Sequence, residues 1–192
     1  LINLSMNGLL YILEELKKTF KGKFIITQQV KYETLDRPIK INRFELGALR
    51  IQSLIDSGVL EMPSSLNIDE SLIAKKTQEL MTLANHTLQR NGKWIPIVSD
   101  AEMSCLALSS ILTDLGISNI IAIDERTTRM LAEKPQNLEE IMSRKLHQKV
   151  HLVEENFSMF SQFRFIRSSE IAYVAYKKNL LHIKGKKALE AV

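Results

Sequence analysis

Residues 97–130, IVSDAEMSCLALSSILTDLGISNIIAIDERTTRM, decide how the rest of this chain is read. Ser99 followed three positions later by Glu102 is the S-x-x-E pattern of a capping box, which marks a helix start. Met103, Leu106, Ala107, Ile111 and Leu115 then recur at helical spacing, and Gly116 is placed to end the helix as a left-handed residue. Asn119 to Ile123 is too short and too apolar for a helix and predicts a strand buried on both faces. Asp124 closes that strand, and Glu125-Arg126-Thr127-Thr128-Arg129 opens a second polar helical turn. Two acid clusters, Asp100 with Glu102 and Asp124 with Glu125, therefore fall at the starts of successive helices. In an open α/β sheet such ends meet at the carboxyl edge of the strands, where ligands bind.

Outward from this stretch the chain alternates helices and short apolar runs, which predicts an α/β fold with a parallel sheet. Upstream, the residues from Leu9 to Phe20 form an amphipathic helix ended by Gly22, and Phe24–Thr27 a strand. Gln28–Leu35 makes one or two helical turns carrying Glu33, broken at Asp36-Arg37-Pro38. A helix starts at Asn42, with Phe44, Ala48, Ile51 and Ile55 facing the core, and stops at Gly58. Val59–Met62 is extended, and a long helix runs from about Asp69 to Arg90, closed by a turn at Asn91-Gly92. Pro96 argues against a central strand over Trp94–Val98. Downstream of a break at Lys134-Pro135, Leu138–Leu146 is helical. Strands follow at Val150–Val153 and Phe163–Ile166, and a last helix opens at Ser168.

Composition narrows the chemistry. With 45% hydrophobic residues the 192-residue chain has ample material for a core, and no apolar run is long enough to span a bilayer. The lone cysteine, Cys105, sits on the apolar face of its helix, so we expect a core thiol, a reducing compartment and a cytoplasmic location. The net charge of +4 is compatible with a polyanionic partner, with lysine and arginine concentrated at Arg164, Arg167, Lys177, Lys178, Lys184, Lys186 and Lys187. His86, His147, His151 and His182 lack zinc spacing. No phosphate-binding glycine loop and no nucleophile elbow occurs. What remains is carboxylates, namely Glu33, Asp100, Glu102, Asp124 and Glu125. Clustered carboxylates suit a hard divalent cation such as Mg²⁺. Each also has a structural role open to it: Glu102 completes a capping box, and Asp is a preferred N-cap.

The ordered motifs resemble the PIN-domain nucleases. SDAEMSCLAL and IAIDERTTR are similar to the third and fourth acidic motifs of that family, FIITQQVKYE to the second, and SSEIAYVAYKKNLL to the final helix. LINLS resembles the segment just past the first motif, so the family's first Asp and first strand are expected upstream of Leu1, and residues 1–192 alone are expected to cut RNA poorly or not at all. The resemblance implies a single domain over residues 1–192, a three-layer α/β/α fold with a central, mostly parallel sheet. It places a helical insertion at about 42–90 and a second at about 131–162. It further implies a Mg²⁺- or Mn²⁺-dependent endoribonuclease with Glu33, Glu102 and Asp124 as catalytic metal ligands. Asp100 and Glu125 are the alternatives at the third and fourth acids. Arg126, Ser168 and Ser169 are weaker candidates for substrate phosphate. RNA is the implied partner; an antitoxin-like or ribosomal partner and an oligomer stay open, and no membrane is involved. A non-catalytic RNA- or ribosome-binding module and a receiver-like or nucleotide-binding domain are the competing expectations.

Overall fold

The computed structural model describes residues 1–153, 157 and 159–181. It is a mixed α/β protein, predominantly helical, that divides into two compact units. The first comprises Leu1–Ile68 and the chain from Ile166 onward; the second is Asp69–Phe165.

In the first unit α1 (Ile2–Met6) and α2 (Tyr11–Thr19) precede β1 (Phe24–Ile25). Thr27 caps the short α3 (Gln28–Lys31) by accepting from the Val30 N–H at 3.3 Å, and a π-helical turn at Tyr32–Asp36 continues it. Pro38 fixes a 3₁₀ turn before α4 (Asn42–Asp56). Gly58, at φ +71, takes the left-handed position beyond α4 that a side chain would disfavour. β2 (Leu60–Glu61) then lies parallel to β1, Phe24 opposite Leu60 and Ile25 opposite Glu61. Leu10, Leu13, Ile26, Leu35, Ile51 and Leu54 make the core under this pair. Across the strands Glu61 bonds Lys23 and, at 3.1 Å, Lys17. The Lys23 ammonium, with help from Lys17 and against the cost of burial, holds the Glu61 carboxyl at about 2, below its usual 4.5.

The second unit opens with α5 (Glu70–Asn85), capped by Asp69, which accepts from the Ser71 N–H at 2.8 Å. β3 (Leu88–Arg90) and β4 (Lys93–Trp94) come next, then α6 (Asp100–Asp114), β5 (Ile121–Ala122), α7 (Arg126–Glu133), α8 (Leu138–Leu146) and β6 (His151–Leu152). α5 packs along α6, which is buried over almost its whole circumference from Ala101 to Leu112. Small Ser104, Ser109 and Ser110 on α6 are buried too. The Ser104 hydroxyl donates to the Ala101 carbonyl at 2.7 Å, which removes the cost of hiding it. At the C-terminus of α6 the Gly116 N–H donates to the Thr113 carbonyl and the Ile117 N–H to the Leu112 carbonyl, at 2.9 and 2.8 Å. This is the Schellman pattern expected of Gly116. β5 is held at Ile121, whose N–H donates to the Arg164 carbonyl at 2.9 Å. β7 (Phe165–Ile166) leads the chain out of this unit, and α9 (Ser168–Lys177) belongs to the first, where Ala172 and Ala175 pack with Ile12 and Leu16 of α2.

Several sequence expectations need correction. The helix expected from Asp69 to Arg90 ends at Asn85. Asn91 and Gly92, both at positive φ (+51° and +72°), form the two-residue connection of a β-hairpin, with Arg90 opposite Lys93. An Asn-Gly pair is favoured there because such turns need positive φ at both residues. The three-stranded sheet of the second unit is antiparallel, in the order β4-β3-β6, whereas β1 and β2 of the first unit pair in parallel. The run at 119–123 is not buried on both faces: Ile121 is buried, whereas Ile120 is 56% exposed. Phe44 is exposed under the Arg43 guanidinium, 4.3 Å from its ring, rather than in the core, and Cys105 is half-buried. The expected helical insertion at 42–90 also contains strands β2 and β3.

This packing has two measurable outcomes. Ile121→Ala should lower unfolding free energy by roughly 2–5 kcal/mol, as large-to-small core changes do. Ile120→Ala should stay within about 0.5 kcal/mol of wild type, as surface changes do; urea titration of both reads the difference. Because Glu61 has a depressed folded-state pKa, its contribution is present above about pH 4.5 and is lost as pH falls toward 2. The urea midpoints of wild type and Glu61→Gln should therefore differ at pH 7 and converge through that acid window.

Candidate functional site

α6 begins with the capping box that its sequence predicts. The Ser99 hydroxyl accepts from the Glu102 N–H at 3.3 Å, and Glu102 Oε2 accepts from the Ser99 N–H at 2.9 Å. The same Oε2 accepts from the Thr128 hydroxyl at 2.8 Å. Thr128 lies in the first turn of α7 and is fully buried. One carboxylate thus ties the first turn of α6 to the first turn of α7.

This link brings the two acidic helix starts together inside the second unit. Asp100 is the first residue of α6 and is exposed; Glu125 is the N-cap of α7 and half-buried, with Asp124 exposed just before it. Both starts are positive ends of helix dipoles, which favour carboxylates. Arg126, the first residue of α7, is exposed. The sequence does not single out Arg129, one turn further on. Its side chain is 15% exposed, it meets Glu133 at 4.0 Å, and its Nε is buried without a hydrogen-bond partner. Nothing in its one-letter context distinguishes it from the solvated Arg126.

The remaining candidates belong to the first unit. Glu33 is exposed on the π-helical turn after α3. Ser168 and Ser169 are the first two residues of α9, whose N-cap is Arg167. Glu170 Oε2 accepts the Arg167 N–H at 2.8 Å, so this terminus already carries a carboxylate. Of the basic stretch, Arg164 donates to the Asn119 carbonyl at 3.2 Å, and Lys177 and Lys178 close α9; Lys184, Lys186 and Lys187 lie outside the described residues.

Among the described residues no three His, Cys, Asp or Glu side chains are grouped to hold a metal ion. The donor chemistry at the joined helix starts is nonetheless carboxylate oxygen. Mg²⁺ typically takes one or two carboxylates and completes its shell with phosphate oxygens and water. Glu102 Oε1 takes neither of the bonds made by Oε2.

Thr128→Val keeps the side-chain shape and removes the donor. It should destabilise the protein by roughly 1–3 kcal/mol, the worth of a hydrogen bond to a charged group, with Thr128→Ser close to wild type in the same melts. Comparison with protein-family models, curated proteins and solved structures returns no match for this chain.

Proposed function

We propose that this chain is a metal-dependent endoribonuclease that hydrolyses RNA phosphodiesters, built on the three-layer, PIN-like arrangement its motifs resemble. The observation that carries this proposal is the Glu102–Thr128 hydrogen bond, because it sets two acidic helix starts side by side. A divalent ion held there would supply an activated water and stabilise the leaving oxygen. The protein's own contribution is to hold Asp100, Glu102, Asp124 and Glu125 on two anchored helix starts. Arg126 and the helix termini are suited to orient substrate phosphate. By the resemblance, Glu33 is the family's second acid. A non-catalytic RNA- or ribosome-binding module is the second reading, favoured by the two protein donors that already hold Glu102.

The test is a gel assay of labelled single-stranded RNA with Mg²⁺, Mn²⁺ or EDTA. In a chain that carries the family's first strand and Asp ahead of Leu1, cleavage should appear with either ion, disappear in EDTA, and be abolished by Asp124→Asn; residues 1–192 alone should cut poorly or not at all. Glu102→Ala is expected to do the same, but it also removes a cap, so its fold is checked by thermal melting. Glu33→Ala decides whether the first unit's acid belongs to the set. Binding should survive these changes, since lysine and arginine contacts to phosphate supply most non-specific affinity. RNA bound tightly and never cut under any metal condition would establish the non-catalytic module instead.

A further inference from the structure

The three-stranded sheet of the second unit has one side packed inward and one side turned to solvent. Leu88 is fully buried, and its cross-strand partner Leu152 is half-buried. Alternation along a strand puts Gln89 on the opposite side from Leu88. The register sets Gln89 directly across from Trp94 on one flank and from His151 on the other. Cross-strand partners share a face. One row of the outer face therefore reads Trp94, Gln89, His151.

The indole in this row is unusual. Trp94 is the chain's only tryptophan, yet it is 41% exposed. It sits on an edge strand with the His86 ring against it in an edge-on contact, centroids 4.9 Å apart. At the hairpin tip Arg90 and Lys93 face each other; alternation puts this pair on the Leu88 side of the strands, but both are exposed there, and neither takes part in an ion pair among the described residues. No Asp or Glu occurs in the sequence between Glu79 and Asp100.

Single-stranded nucleic acid is bound by combining aromatic faces, on which bases stack, with cations that follow the phosphates. Aromatic residues on an exposed sheet face serve in this way in RNA-binding domains. We propose that the outer face of the β4-β3-β6 sheet is a binding platform for single-stranded RNA. One base stacks on Trp94, the Gln89 amide and the His151 imidazole face the neighbouring base edges, and Arg90 and Lys93, exposed on the other side of the strands, meet the backbone where it passes the hairpin tip. The platform rests on the proposed action on RNA and names the form of RNA bound.

Trp94 is its own reporter, because it supplies all the indole fluorescence of the chain. The full chain in EDTA, where metal-dependent cleavage is suppressed, is titrated with a single-stranded RNA of about 12 nucleotides and with the matching duplex. We expect quenching of the indole emission by the single strand and little by the duplex. Affinity of labelled RNA, read by anisotropy, should fall roughly 5- to 100-fold in Trp94→Ala and much less in Trp94→Phe. The double variant Arg90→Ala, Lys93→Ala should lower the salt dependence of binding by roughly 1.4 in log–log slope. Circular dichroism melts establish that each variant is folded, and Trp94→Phe carries the comparison should Trp94→Ala unfold. Single-stranded RNA that binds without changing Trp94 emission, or that binds folded Trp94→Ala as tightly as wild type, overturns the platform alone. Absence of any RNA binding overturns the platform and the RNA reading together. Binding through Trp94 without cleavage when metal is restored, in the chain that carries the family's first strand and Asp, leaves the platform standing and removes only the nuclease.

Discussion

The carboxylate of Glu102 is the fixed point of the second unit. Through one oxygen it closes the first turn of α6, and with the same oxygen it receives the buried hydroxyl of Thr128 from α7. Neither bond is expendable: opening the first leaves the Ser99 N–H without its acceptor, and opening the second leaves a fully buried hydroxyl without its own. α6 is also the most enclosed helix of its unit, so any shift of its first turn is passed to α5 through close packing and to α7 through the Thr128 hydrogen bond. The acids around Glu102 therefore stand on a base that is held by packing from behind and by hydrogen bonds at the end.

That geometry explains why carboxylates accumulate here in either functional case. A helix N-terminus contributes about 0.3–1 kcal/mol to a nearby carboxylate at an exposed site. Two such termini side by side soften the repulsion that clustered acids would otherwise feel. Acidic residues at these two helix starts are thus compatible with the fold without a cation.

Features that depend on a few consecutive residues are legible in the sequence. The capping box at Ser99 and Glu102, the Schellman glycine at 116, the stop at Gly58, the break at Pro38 and the helix over Leu138–Leu146 each arise from local chemistry. Features that depend on a distant partner are not. Ile120 and Ile121 have the same side chain and sit one apart; only pairing at Arg164 decides which of them turns inward. Leu88 to Arg90 continues the helical spacing of α5, and it becomes a strand because Asn91-Gly92 folds it back and β6 pairs with it. Glu102 is readable as a cap, but its second bond, to Thr128 26 residues away, is not. The solvent-facing row at Trp94, Gln89 and His151 needs the register of three strands and has no signature in any one of them.

The hairpin and the acidic helix start are parts of one construction. The chain leaving β4 is pinned at Ile95, whose N–H donates to the Leu88 carbonyl at 3.0 Å. It is pinned again at Ile97, whose N–H donates to the Asn85 side-chain carbonyl at 3.0 Å. Asn85 is the last residue of α5, the helix that packs along α6. The link is therefore fastened at Ile95 to β3 and at Ile97 to the end of α5, and it cannot swing freely. Six residues from Trp94 to Asp100 span at most roughly 20 Å even when fully extended. On the proposed platform the stacked base would lie at the start of this short link, and the acids of α6 lie at its end. If the proposed cleavage takes place at those acids, the short link limits how far the cut can lie from the stacked base.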